Sequence, residues 1–468
     1  MRHRKKLVAL TLVVGLPILA HVGIDRFVRF SPPVVDAPKL TANRGHAGTG
    51  WTAAPGGVRI VSLAGTPVEI GAAHSALLYD RMVAVETVVF DGFREIMPVA
   101  PMRTLLFDVG RFQYRHVEDG FPLERREELA AQANGFTPDP FTPWMDTYTR
   151  MVFLSSLYDI ALGFERSPLL GNAPGLAGCT SFGLDSTLTT NGHVLFARAF
   201  DFEAASLFDT EKVVFFVREK GKIPFASVAW PGFIGVVSGM NAEGVAVAVH
   251  GARARDASTK GTPVPFSIRD ALAGAHTTEE AVRILSAQEV MVSHMVFVGD
   301  ARGSFAVVER APGEKAFVRP ANRITNHFEG PLAGDARDAE VRKTSTTLAR
   351  RARIDELMAS VSPRSADVSH AVAMLRDHGC AKGEACPPGD RRAIDAFIAT
   401  HGIVADLTSK ALWVSAGPRL SGRFVKIDVA SLVSRPDAFP GEPETIAEDP
   451  ALHDGRYSAG RARAGGPM

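Results

Sequence analysis

The 468-residue chain has 52 Lys+Arg against 51 Asp+Glu, scattered along its length, and its net charge of +1 gives no electrostatic basis for binding nucleic acid. With 46% hydrophobic and 22% charged residues it can bury a core and is not a disordered polymer. A glycine-rich phosphate loop, zinc-type Cys/His spacing and internal repeats are all missing, so no cofactor and no metal is expected.

The chain opens on "MRHRKK", followed by the uncharged run "LVALTLVVGLPILAHVGI" at 7–24. A basic n-region against an apolar stretch predicts an export signal or an uncleaved membrane anchor within residues 1–30. The remainder would then lie outside the cytoplasm, in the periplasm or cell envelope, where disulfides persist. Residues 31–57 are rich in Pro, Gly, Ala and Thr without periodicity and read as a linker.

Residues 58–178 read as mostly helical. In "TPVEIGAAHSALLYDRMVAVETVVF", Thr66 and Glu69 have the spacing of a capping box ahead of an apolar helical face. "PLERREELAAQANGF" and "PWMDTYTRMVFLSSLYDIALGF" predict two more helices, and "SPLLGNAPGLAG" a flexible approach to Cys179. After Cys179 the texture changes to short strands between Gly, Asn and Asp turns: "HVLFARAFDF", "KVVFFVRE", "FASVAW", "FIGVVSGM", "GVAVAVHG", "MVFVGD", "SFAVVERA" and "KAFVRP". "TTEEAVRILSAQ" and "STTLARRARIDELMASV" predict helices, and "ALWVSAGPRLSGRFVKIDV" a late hairpin. This order points to an α+β fold of antiparallel sheets covered by helices. Residues 434–468 read as a disordered tail.

Of the three cysteines, Cys380 and Cys386 flank a short Lys-Gly loop in "CAKGEAC" and are expected to close a disulfide ring rather than stay as two surface thiols. Cys179 is left alone. A thiol attacks only as thiolate, so something must take its proton. One design uses a histidine, with His250 and His327 as candidates. Another uses the cysteine's own α-amine, freed by cutting the Gly178–Cys179 bond, whose pKa near 8 suits a base at neutral pH. The second design wants a small residue before the cysteine, a flexible loop leading in and a strand leading out. "GLAGCTSFGLDS" supplies these features, although a buried structural cysteine in a strand would look similar.

Taken in order, "GTPVEIGAAH", "GCTSF", "NGHVLFARAFDF", "GMNAEGVAVAVHG", "TNHF" and "SGRFVKIDV" resemble the cysteine N-terminal-nucleophile hydrolases. That family includes the choloylglycine hydrolases, acid ceramidase and the acyl-CoA:6-aminopenicillanate acyltransferase-like proteins. The resemblance implies a four-layer αββα sandwich in which 58–178 is a pro-segment or α chain and 179–433 the catalytic β chain. The two would form an α/β heterodimer after self-cleavage, with a homo-oligomer left open. It makes Cys179 the nucleophile, Asp201 the group that orients its amine, and Arg198 a cation beside the thiolate. Asn326 becomes an oxyanion donor, and Arg423 either closes the site or is an exposed edge-strand arginine. The Cys179–Arg198 interval is longer than in bile salt hydrolases. His250 stands where relatives often carry a second asparagine, and reads equally as a donor or as a satisfied strand-end histidine. The function implied is a self-processing amidohydrolase or acyltransferase acting on a small linear N-acyl amide. The alternatives are a papain-like or transglutaminase-like Cys–His catalyst without self-cleavage, and a non-catalytic envelope binding protein of the same fold.

Overall fold

Along the strand Val213–Glu219, Val213, Phe215 and Val217 face one apolar core while Val214 and Phe216 face another. Alternation on a strand with no polar face means the sheet is covered on both sides. In the computed structural model the described residues are 15–164, 177–202, 206–438 and 441–464. The basic hexamer, the first part of the apolar run and the approach at 165–176 lie outside them.

Two sheets account for the strands. The ten-stranded sheet runs, in spatial order, His46–Ala47, Gly50–Ala53, Arg59–Gly65, Val213–Glu219, Phe225–Ala229, Ser238–Asn241, Ala246–Gly251, His294–Gly299, Phe305–Arg310 and Phe317–Pro320. The seven-stranded sheet runs Arg323–Ile324, Ala177–Leu184, Leu195–Phe202, Ala399–Asp406, Ala411–Ser415, Phe424–Asp428 and Thr445–Ile446. Neighbours are antiparallel except Arg59–Gly65 beside Val213–Glu219, which are parallel.

Three apolar layers hold four layers of structure together. Outside the larger sheet, Ile70, Met82, Leu129, Val152, Phe266 and Leu272 of the helices pack on Val61, Phe215, Val247 and Val296. Between the sheets, Phe216, Val228, Met240 and Phe297 meet Phe196, Ile403, Val414 and Val425. Outside the smaller sheet, Ile354, Met358, Val372 and Leu375 cover Phe182, Leu195, Ala197 and Val404. The fold is an αββα sandwich of the α+β class, as expected.

Local signals worked as the sequence suggested. Thr66 and Glu69 form a reciprocal capping box at the start of the helix Pro67–Ile96. The third predicted helix is two, Thr147–Ser155 and Leu157–Phe164, with Asp146 capping the first through the Thr149 amide at 3.0 Å. Cys380 and Cys386 are disulfide-bonded and Cys179 is free.

Two segments expected to lack structure have it. Within the supposed linker, Gly50–Ala53 pairs with the strand at Arg59–Gly65 and buries Trp51. Within the supposed tail, Thr445–Ile446 adds to the smaller sheet, and Arg456–Ala464 is a helix from which Arg461 donates to the Phe397 carbonyl. Both segments gain backbone partners by pairing with the adjoining strand in sequence, Arg59–Gly65 and Phe424–Asp428, which composition does not report. Among the described residues no helix is long and apolar enough to cross a membrane.

Candidate active site

Cys179 lies on the strand Ala177–Leu184, paired with Leu195–Phe202 so that Cys179 opposes Phe200, Gly178 opposes Asp201 and Ser181 opposes Arg198. The pleat sends residues on one strand alternately to the two faces. Phe196, Arg198 and Phe200 therefore share one face with Cys179 and Ser181, directed between the sheets. Gly178 and Asp201 share the other, beneath the helix Thr347–Ser360.

On the inner face Arg198 is fully buried. Its Nη2 lies 3.4 Å from Cys179 Sγ, its Nη1 donates to the Val237 carbonyl at 3.0 Å, and its guanidinium sits 4.5 Å from the Phe200 ring centre. Burial pushes the Cys179 thiol up; Arg198 and Arg350 pull it back, while Asp201 adds to the rise. In the uncut chain the thiol is held protonated and needs a base.

No histidine supplies one among the described residues. His250 Nε2 is bonded to Ser181 Oγ at 2.8 Å, and burial, with Arg198 and Arg350 nearby, drives its pKa well below the ordinary histidine value. His327 Nδ1 meets Thr347 Oγ1 at 3.0 Å and Thr325 Oγ1 at 3.2 Å, with its pKa lowered to about 4, chiefly by burial. A second Ser–His pair, which sequence reading missed, flanks Arg198 on the other side. His401 Nε2 bonds Ser238 Oγ at 2.7 Å and its ring lies 5.0 Å from that of Phe200. It too is held neutral by burial and by Arg198. Two neutral histidines thus border the cation without competing with it for the thiol.

The backbone of Cys179 is held as closely as its side chain. Its N–H donates to Asn326 Oδ1 at 2.7 Å, and Asn326 Nδ2 donates to the Gly251 carbonyl at 3.0 Å. Arg350, unnoticed in the sequence, donates through Nη1 to the Cys179 carbonyl at 2.5 Å and to Thr180 Oγ1 at 3.1 Å, and through Nη2 to Asn326 Oδ1 at 2.8 Å. Two donors converge on Asn326 Oδ1 and one acceptor faces Nδ2, which fixes the orientation of the amide. Asp201 stands beside Gly178: a Cβ there would lie 3.1 Å from Asp201 Oδ2. Cys179, Arg198, Asp201 and Asn326 form one cluster, with His250 one Ser181 side chain away. Arg423 is not part of it. It is exposed and precedes the strand Phe424–Asp428, four places along the smaller sheet from the Cys179 strand, about 19 Å at the usual inter-strand spacing.

Residues 187–384 match the family described as acyl-coenzyme A:6-aminopenicillanic acid acyl-transferase. The likeness is confined to this segment, under half of the chain. The matched segment contains Arg198, Asp201, His250, Asn326 and Arg350, and starts just after Cys179. An uncharacterized protein of Archaeoglobus fulgidus is 23% identical over 261 residues, 53% of this chain and 42% of that protein. The chain therefore spans about two fifths of the length of this curated relative. Three solved structures overlap it. The N-acylethanolamine-hydrolyzing acid amidase ortholog of Caenorhabditis elegans has 18% identity, a TM-score of 0.36, and coverage of 49% of this chain and 93% of that one. Penicillin V acylase of Agrobacterium tumefaciens has 19% identity, a TM-score of 0.35, and coverage of 53% and 91%. A variant conjugated bile acid hydrolase of Clostridium perfringens has 14% identity, a TM-score of 0.41, and coverage of 58% and 98%.

Proposed function

We propose that the protein is a self-processing cysteine amidohydrolase or acyltransferase that cuts its own Gly178–Cys179 bond and then acts on a linear N-acyl amide. The observation that carries this reading is that both the thiol and the backbone nitrogen of Cys179 are held by dedicated side chains, Arg198 and Asn326, while no histidine among the described residues is bonded to the thiol. A merely structural cysteine needs neither partner, and a Cys–His catalyst needs the partner that is missing from the described residues. The match of residues 187–384 to the acyltransferase family supports acyl transfer or amide hydrolysis as the general chemistry.

In the precursor the Cys179 nitrogen is an amide and cannot accept a proton. Sγ attacks the Gly178 carbonyl carbon and the C–N bond breaks as the nitrogen is protonated, leaving a thioester and a free α-amine. Water then opens the thioester to the Gly178 carboxylate and the thiol. The new amine keeps Asn326 Oδ1 as acceptor and has the Asp201 carboxylate nearby. It takes the thiol proton, and Arg198 stabilises the resulting thiolate. The thiolate attacks the substrate amide, the protonated amine leaves, and water or an acceptor amine takes the acyl group. An exported location and the substrate's acyl chain belong to the same proposal and rest on the leader-like sequence and on the family.

Intact mass and N-terminal sequencing of the purified protein test it. The expected result is a fragment beginning Cys-Thr-Ser-Phe, turnover on a panel of N-acyl amides, and a Cys179→Ala chain that stays whole and inactive. An active enzyme that remains a single uncut chain overturns the proposal.

A further inference from the structure

Two helices far from the site pair in an unusual way. Leu16–Phe27 is the C-terminal part of the uncharged run, and it docks on Ala100–Gln113 through polar ties: His21 Nδ1 to Asp108 at 2.9 Å, Arg111 to Asp25 at 3.3 Å and Arg111 to the Val28 carbonyl at 3.1 Å. Both residue numbers rise together along these ties, so the helices run parallel and their N-terminal ends lie side by side. Along this pair Leu16, Leu19, Val22 and Phe27 are exposed on one helix, and Val99, Met102, Leu105 and Phe112 on the other or just before it. Each is between 50% and 84% exposed. Soluble surfaces rarely gather so many large apolar side chains, and a contiguous group of them marks an interaction site.

We propose that this helix pair lies on the surface of a phospholipid bilayer containing anionic lipid. Arg26 precedes the exposed Phe27, and the Arg115 guanidinium lies 4.6 Å from the ring centre of the exposed Phe112, so cations flank the apolar side chains. Neither makes an ion pair among the described residues. Cations flanking an apolar surface meet lipid phosphates at the headgroups. Trp144 lies near the N-terminal end of Ala100–Gln113, with the Arg94 guanidinium 5.0 Å and that of Arg103 5.7 Å from its ring centre. Amphipathic aromatic and arginine side chains of this kind favour the water–lipid boundary. A second copy of the chain would bring more cations against Arg26 and Arg115, whereas an anionic bilayer neutralises them. The surface includes a helix from outside the apolar run, so it differs from a simple N-terminal anchor and is independent of the proposed chemistry.

The test is flotation of the full chain with vesicles of phosphatidylcholine and about one third phosphatidylglycerol. The Met102→Glu/Leu105→Glu double variant leaves residues 7–24 intact. The wild type should float, and the variant's partition coefficient should fall about tenfold or more, with hydrolysis of a soluble amide unchanged. Equal flotation of the two proteins would assign binding to the N-terminal run alone and overturn the proposal. A wild type that does not float but elutes as a dimer lost in the variant would also overturn it, in favour of self-association.

Discussion

The backbone N–H of Cys179 donates to the side-chain oxygen of Asn326 at 2.7 Å, although the two residues are 147 positions apart in the chain. Asn326 was expected to donate to an oxyanion, yet here its donor is engaged by Gly251 and its acceptor holds the nitrogen that self-cleavage would release.

Asn326→Ala should therefore affect two steps. The variant orphans the Cys179 N–H and one arm of buried Arg350, so self-cleavage should slow. Once cut, kcat should fall by about 10²-fold or more through loss of a preorganised group. Time-resolved intact mass and steady-state kinetics separate the two effects. A variant that processes and turns over like the wild type removes Asn326 from the site.

Arg350→Lys keeps the charge but loses the planar fork that serves the Cys179 carbonyl and Asn326 Oδ1 together. Arg350 acts through these groups as a positioning residue, so kcat should drop roughly tenfold with KM within about twofold. A change confined to KM would place Arg350 on the substrate instead.

Gly178→Ala puts a methyl 3.1 Å from Asp201 Oδ2 and 3.3 Å from its Cβ, tight enough that the carboxylate must move. Self-cleavage should slow about tenfold, equivalent to roughly 1.4 kcal/mol on the barrier. Gly178 leaves the Cys179 chain on cutting, so the processed variant should retain wild-type kcat. Cleavage at the wild-type rate would separate Asp201 from the processing step.

His250 gives a prediction with a sign. Its folded pKa is depressed by burial, Arg198 and Arg350, so its contribution to stability is complete above the unfolded value near 6.5 and is lost as pH falls below it. From pH 7 to pH 5 this histidine should account for about 2 kcal/mol of lost stability. His250→Gln, compared with wild type by urea unfolding in the Cys179→Ala background, should lose that much less over the same interval. An identical pH slope in both proteins would show that His250 is protonated in the folded state.

Much of this was legible because the signals are local. Strand alternation, the Thr66–Glu69 spacing and the Arg198-to-Asp201 interval depend on neighbours in sequence. Arg350 was not legible in the same way. It shares a helix with Arg351 and Arg353, which pair outward with Asp355 and Asp377, and residue type alone does not say which arginine turns in. The available cue was periodicity: Arg350 falls on the buried stripe with Thr347, Ile354 and Met358, where a charge needs a partner. Arg423 was chosen for lying near a late strand, but only the strand order reveals how far that strand is from Cys179. The strand Ala399–Asp406, interrupted in sequence by Thr400, His401 and Gly402, shows no clean alternation because both its faces are covered.

The parallel pairing of Arg59–Gly65 with Val213–Glu219 joins residues from either side of the Gly178–Cys179 bond in one sheet. Under the proposed cleavage, the uncut bond would work as a tether, holding the two strands at a high effective concentration while the sheet assembles. Once cut, the halves would stay interleaved by the sheet, but after unfolding they would have to find each other as separate molecules. The mature protein would then owe its persistence to slow unfolding rather than to an equilibrium it can revisit.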